Sequence, residues 1–228
     1  MLKVFFKTTV FVVLFFVPQI VFGSVVINEV FYNPEGTDTG KEYVVLYNNG
    51  DSMVDLTGWE LDPSDAPYFA FSAFSLAAKQ FVTIHINCAG ANTDNNLFAG
   101  KTTAMGNDSG PIALFNSSTH SKTTIVDYIE YGEGGQTNES KAVDAGIWTT
   151  GNFIPGAAEG KSIKLKTDGA DTNSPNDWIE SNPTIAPEEP ASTSEQTTTQ
   201  ETESSPSGVN NPPLPDAGND IIAFVDQE

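Results

Sequence analysis

The residues best suited to chemistry lie close together late in the apolar-patterned part of the chain. Asp168, Asp171, Asn173 and Asp177, with Asn176 among them, bring three carboxylates and two amides into a ten-residue stretch. Calcium takes roughly six to eight oxygen ligands, and a loop of this composition can supply several. These four residues are therefore the candidate metal ligands, and calcium is the one cofactor the sequence suggests. Their spacing is not that of an EF-hand loop, and clustered Asp and Asn also cap ordinary turns. Lysines at 161, 164 and 166 offer a metal-free way to neutralise the same loop. A second candidate is the pair Glu29 and Glu42, two carboxylates in neighbouring early strands, the minimum for general acid–base work. No third group or cleft accompanies them, so no catalytic residue is assigned and the chain is not expected to be an enzyme. His85 lies in mid-strand and His120 in a Ser/Thr turn, without a nearby cysteine or an H-x-x-x-H spacing, which argues against zinc. His85 is expected at the surface, and Cys88, which lacks a nucleophile motif, as a small buried hydrophobe. The aromatic set Tyr68, Phe69, Phe71 and Phe74 suits either a sugar-stacking platform or, more commonly, a core.

The elements that must position these groups are strands. Ser24 to Tyr32 alternates, with Val26, Asn28, Val30 and Tyr32 on one face and Ile27, Glu29 and Phe31 on the other. Glu42 to Tyr47 is a β-branched and aromatic run, Asn48 to Gly50 is a turn, and Val54 to Leu61 follows, so the stretch from Lys41 to Leu61 reads as a hairpin. Within it Trp59 is expected in the core. Gln80 to Ile86 turns Val82, Ile84 and Ile86 one way and Phe81, Thr83 and His85 the other. Ala89 to Thr103 reads as loop, Ile112 to Phe115 and Ile125 to Tyr131 as strands, and Glu133 to Gly160 as a Gly-rich loop anchored by Trp148 and Phe153. Lys161 to Lys166 points Ile163 and Leu165 inward. About seven short strands separated by turns, with no convincing amphipathic helix, predict an all-β sandwich.

Several pieces together resemble one family. I-N-E-V at residues 27–30, the strand, Asn-rich turn and D-L-T-G-W over residues 41–61, the Gly106–Gly110 turn, and I-V-D-Y-I-E-Y-G at residues 125–132 are similar to the signature of the lamin tail domain. The resemblance implies an immunoglobulin-like β-sandwich over residues 24–182, closed by an Asp-rich turn and a tryptophan, Trp178, that packs back on the sheets. Glu29 and Glu42 match acidic positions of that pattern, whereas Val45 stands where the family often has Glu. A fold of this kind hosts many roles, so the resemblance implies little about action.

The flanks and the charge narrow the function. Met1 to Gly23 has the layout of a cleaved signal peptide, with Lys3 and Lys7, an apolar run and a Pro18 break. An uncleaved segment of this kind is the one expected route to a membrane. Its removal takes the net charge from −20 to −22, because two lysines are lost. Such a surface repels phosphate backbones, so nucleic acid is not an expected partner. Residues 183–215 are rich in Pro, Ser, Thr and Glu and read as a disordered linker that adds no stability. Residues 216–228 resemble the opening of a PKD-type module, which suggests a longer multidomain surface protein. The expected function is a secreted or cell-surface binding module for an extracellular protein or polysaccharide. The alternative is an accessory domain of a larger extracellular hydrolase or nuclease.

Overall fold

Two runs of β-branched and aromatic residues found the structure. In the computed structural model, which describes residues 25–62, 69–100 and 104–185, Val25–Phe31 (β1) pairs antiparallel with Tyr43–Asn48 (β2). Paired residues share a face, so Ile27 with Leu46 and Val30 with Val44 point inward, while Glu29 with Val45 and Phe31 with Tyr43 point outward. Chain order continues with Val54–Asp55 (β3), Glu60–Asp62 (β4), Phe69–Ala70 (β5), Ser75–Leu76 (β6), Phe81–His85 (β7), Asn96–Phe98 (β8), Gly110–Phe115 (β9) and Ile125–Tyr131 (β10). Glu139–Ala145 forms a helix (α1), Ser162–Leu165 is β11, and a 3₁₀ turn at Pro175–Asp177 leads into Trp178–Ser181 (β12).

The strands form a six-stranded sheet in the order β12-β11-β1-β2-β7-β8 and a four-stranded sheet in the order β10-β9-β4-β5, with β3-β6 as a short ribbon. Only β7 with β8 is parallel among these ladders. Val30, Val44, Leu46, Val82, Ile84 and Ile163 from the first sheet meet Leu61, Ile112, Leu114 and Ile129 from the second in one core. Tyr32 stacks on Tyr131 between them, ring centroids 3.9 Å apart. This is the expected immunoglobulin-like sandwich. The inward residues of β7 and β11 are the expected ones, and Trp178 packs on the core as its position in the closing segment implied.

Several local expectations are corrected. Residues 41–61 do not form a hairpin: β2 pairs with β1 and β7, β3 with β6, and β4 with β5 and β9. The buried Asn48 explains this. Its amide donates to the carbonyls of Ser52, Leu76 and Ala77 at 2.9, 3.0 and 3.1 Å, so the turn is tied to the β6–β7 connection. Simple alternation also fails in β1, where a bulge between Ile27 and Glu29 puts Ile27 in the core and Glu29 and Phe31 outside. The stretch from Glu133 to Gly160 contains α1, whose seven residues bury only Ala142 and so carry almost no amphipathic signal. It ends at Gly146 in the left-handed conformation, which closes the last turn. β8 lies in the expected 89–103 loop, where Phe98 stacks on His85 at 4.6 Å and takes that histidine out of solvent. Trp59 packs on the core but is only half-buried, Phe153 is 42% exposed, and Cys88 is half-buried.

The inside of this acidic protein holds carboxyl groups. Glu42 is fully buried, accepts the Met105 N–H at 2.9 Å through Oε1, and has no hydrogen-bond partner for Oε2. Burial lifts it from the ordinary value of 4.5 to about 8, against the Met105 N–H and with help from the charge of Asp38. Burial raises Asp127, Glu130 and Asp171 as well. The folded state therefore holds protons that the unfolded chain has already released between these two values. The contribution of these groups to stability is fullest below the ordinary carboxylate range and falls as pH climbs towards 8. The melting temperature is expected to drop steadily from about pH 5 to about pH 8, and Glu42→Gln to flatten part of that slope. A wild-type melting temperature that is level or rising over this range would contradict the assignment.

Candidate functional site

The sheet faces differ in what covers them. The outer face of β9–β10 is roofed by the 133–154 segment, through Trp148 packed edge-on to Tyr128 at 5.7 Å. Glu130 anchors that roof, accepting from Trp148 Nε1 at 2.9 Å, the Gln136 N–H at 2.8 Å and the Tyr128 hydroxyl at 3.2 Å. The outer face of the six-stranded sheet is covered only in part, and an open cavity of about 320 Å³ lies there. Asn28, Glu29, Val45, Phe81, Thr83 and Lys164 line it from the strands, with Asp168, Thr184 and Ile185 along its edges. That volume is at the lower end of the range for small-ligand sites.

Each wall has a physical cause. The β1 bulge leaves Asn28 as an extra residue whose side chain grips the loop after β11. Its Nδ2 donates to Asp168 Oδ1 at 2.9 Å and its Oδ1 accepts the Gly169 N–H at 2.9 Å. Asn49 Nδ2 donates to the Gly169 carbonyl at 2.9 Å from the other side. Gly169 is required there, since a Cβ would sit 2.7 Å from the Tyr47 ring and φ is +70°. Tyr47 in turn stacks on Phe81 at 4.3 Å, and Phe81 remains 39% exposed at the cavity. The opposite edge is made by chain beyond the expected domain end. Thr184 donates its N–H to Glu29 Oε1 at 2.9 Å and its hydroxyl to Glu29 Oε2, and Ile185 donates its N–H to the Tyr43 hydroxyl at 3.3 Å. Tyr43 donates to Glu29 Oε1 at 2.9 Å, and burial, reinforced by the Glu29 charge, pushes its phenol well up.

The structure keeps Asp171 and Asp177 in contact and sets Asp168 apart from them at the cavity. Asp168 is exposed at the cavity. Asp171 lies partly buried, accepts the Asn173 N–H at 2.7 Å and hydrogen-bonds through its side chain to the buried Asp127. Asp177 accepts from the Thr172 N–H at 2.7 Å and from its hydroxyl, with its charge felt at Asp171. Asn173 occupies a left-handed turn position with φ 61°. No group of three His, Cys, Asp or Glu side chains suited to a metal occurs among the described residues. Nor do Lys161, Lys164 or Lys166 form ion pairs with these carboxylates. Burial raises both Asp127 and Asp171, so each holds its proton to higher pH than a free carboxyl group does.

Glu29 and Glu42 are not brought together. One faces outward under Thr184, and the other takes the Met105 N–H. Of the aromatic set, Tyr68 lies outside the described residues. Phe71 is buried edge-on to Phe69 at 4.8 Å, and with Phe74 these rings line a smaller cavity of about 240 Å³ beside Asn92–Asp94. Sequence reasoning missed one constellation. His120 stacks on Phe115 at 4.1 Å and places Nε2 2.7 Å from Glu60 and Nδ1 2.9 Å from the buried Asp62. The signal was Glu60-x-Asp62 on a strand, which sets two carboxylates on one face and calls for a hydrogen-bond donor there. This bracket fastens the 116–124 turn to β4.

Because Thr184 satisfies Glu29, ending the chain at Asn182 removes two hydrogen bonds from a buried carboxylate. A chain ending at Asn182 is expected to be less stable than one ending at Ile185 by about 1–3 kcal/mol, measured by urea unfolding. Equal stabilities would show that residues 183–185 add nothing.

Comparison with known proteins agrees with this geometry. No curated protein matches the chain. A model of the Lamin Tail Domain family matches residues 18–133, which takes in β1 to β10, while β11 and β12 complete the sheet beyond that match. With the match spanning just over half of the sequence and the sandwich it implies in place, the chain belongs to the lamin tail domain family.

Proposed function

We propose that this chain acts as a non-catalytic binding module of an extracellular protein, and that the cavity on the outer face of the six-stranded sheet is its recognition site. The observation that carries the reading is the contrast between this cavity and every other group of polar side chains described. Asp127, Glu130, Asp62 and Glu60 are consumed in fixing loops and turns, and none stands beside a free nucleophile in a cleft. The outer-face cavity, the larger of the two described, combines open volume, an exposed aromatic ring and polar groups at its rim. Supporting the extracellular setting are the signal-like segment at residues 1–23 and the net charge of −20. That charge also disfavours nucleic acid as the partner.

The test uses the full chain produced with its own leader. The product is expected outside the cells, beginning at Ser24 by N-terminal sequencing. Immobilised, it is expected to retain material from an extracellular matrix or cell-envelope fraction, and Lys164→Glu is expected to lose that retention while the chain still unfolds cooperatively. Product confined to the cytosol, or retention unaffected by Lys164→Glu, would count against the reading.

A further inference from the structure

We propose that the outer-face cavity binds a neutral sugar, one or two pyranose rings of a polysaccharide, with Phe81 as the stacking platform. This rests on the reading of the cavity as a recognition site and adds the ligand class.

Three polar groups at the cavity are uncommitted. Asp168 uses Oδ1 for Asn28 and leaves Oδ2 open, while the Lys164 ammonium and the Thr83 hydroxyl make no hydrogen bond among the described residues. Together they offer an acceptor, a donor and a group that does both. By contrast Glu29 and Asn28 have their polar atoms engaged and serve as rigid floor. Between the polar groups lies an apolar strip of Phe81, Val45 and Ile185. A ligand matching this lining needs closely spaced hydroxyls, each able to donate and accept, on a flat apolar frame. A pyranose has that combination, its C–H face suited to an aromatic ring and its hydroxyls to mixed partners.

Charge selects within the class. Glu29 and Asp168 outweigh Lys164 at the cavity, in a chain of net charge −20, so uronic acids and phosphorylated sugars are repelled. A cationic peptide gains from the field but has no use for the stacking surface or the Lys164 ammonium. The platform is also prearranged: Phe81 is backed by Tyr47, which the Gly169 backbone fixes from the other side. Little ordering is left for a ligand to impose.

The experiment titrates the isotope-labelled chain with cellobiose, maltose and N,N′-diacetylchitobiose, with digalacturonic acid and a lysine-rich peptide as comparators, following backbone amide shifts. At least one neutral sugar is expected to shift Phe81, Thr83, Lys164 and Gly169 saturably. Phe81→Ala is expected to weaken that binding by about tenfold, which corresponds to about 1.4 kcal/mol for the lost stacking contact. Lys164→Met, with no aromatic removed, is expected to weaken it several-fold and guards against a folding defect in the first variant. No response to any neutral sugar, shifts away from this face, or tighter binding of digalacturonate or the peptide would overturn the proposal. If neutral sugars fail while Lys164→Glu still abolishes retention of envelope material, only the ligand class falls. If both fail, the cavity is not a recognition site.

Discussion

One buried carboxyl group, that of Asp127, holds together the parts of the structure that make the cavity. It lies between the sheets, accepting the Ile27 N–H from β1 at 2.6 Å and the N–H of its neighbour Tyr128 at 2.7 Å. Each contact falls at a break in a ladder, since β1 is bulged between Ile27 and Glu29 and β10 is irregular between Ile125 and Asp127. A bulge leaves backbone groups without ladder partners, and a buried N–H without a partner is costly. Asp127 supplies the acceptor. Its hydrogen bond to Asp171 then draws in the loop after β11, the same loop that Asn28 grips from the bulge. The irregularities of two sheets and the wall of the cavity thus depend on one side chain.

The acidic composition acquires a different meaning from this arrangement. In the sequence the late Asp-rich stretch invites a cation, because like charges in one loop repel. In the fold burial raises Asp127 and Asp171, which lessens the charge that these two groups carry against each other. Burial likewise raises Glu42, kept protonated towards pH 8 at the base of β2. Glu42 and Asp171, which look like chemistry in the sequence, are buried structural acids in the molecule. What is left for recognition is the part of the surface where side chains are not consumed, around Phe81, Thr83, Lys164 and Asp168.

Much of the fold was legible because it rests on period-two patterns. The faces of β7 and β11 followed from Val82, Ile84 and Ile163, Leu165, and the polar residues Asn28, Glu29 and Asp127 lay inside the motifs that marked the family. What could not be read were places where one residue breaks the period. The Asn28 bulge moved Glu29 and Phe31 to the opposite face from Ile27 without any cue in composition. Asn48 diverted a turn that local chemistry favours as a hairpin, through bonds to carbonyls roughly 30 residues away. α1 was too short to carry a helical period. The cavity was illegible for a related reason, since its lining comes from five separate segments and includes Thr184 and Ile185 from a stretch whose composition reads as linker.

Amide hydrogen exchange on Asp127→Ala, compared with the unaltered chain, tests the central role of this side chain most directly. Protection is expected to fall at Ile27 and Tyr128, which lose their acceptor, and also at Gly169 and Asn173, whose amides are held by Asn28 and Asp171, while Ile84 in β7 stays protected. Loss confined to Ile27 and Tyr128, with Gly169 and Asn173 as protected as before, would show that the closing loop and the cavity stand without Asp127 and would contradict the account.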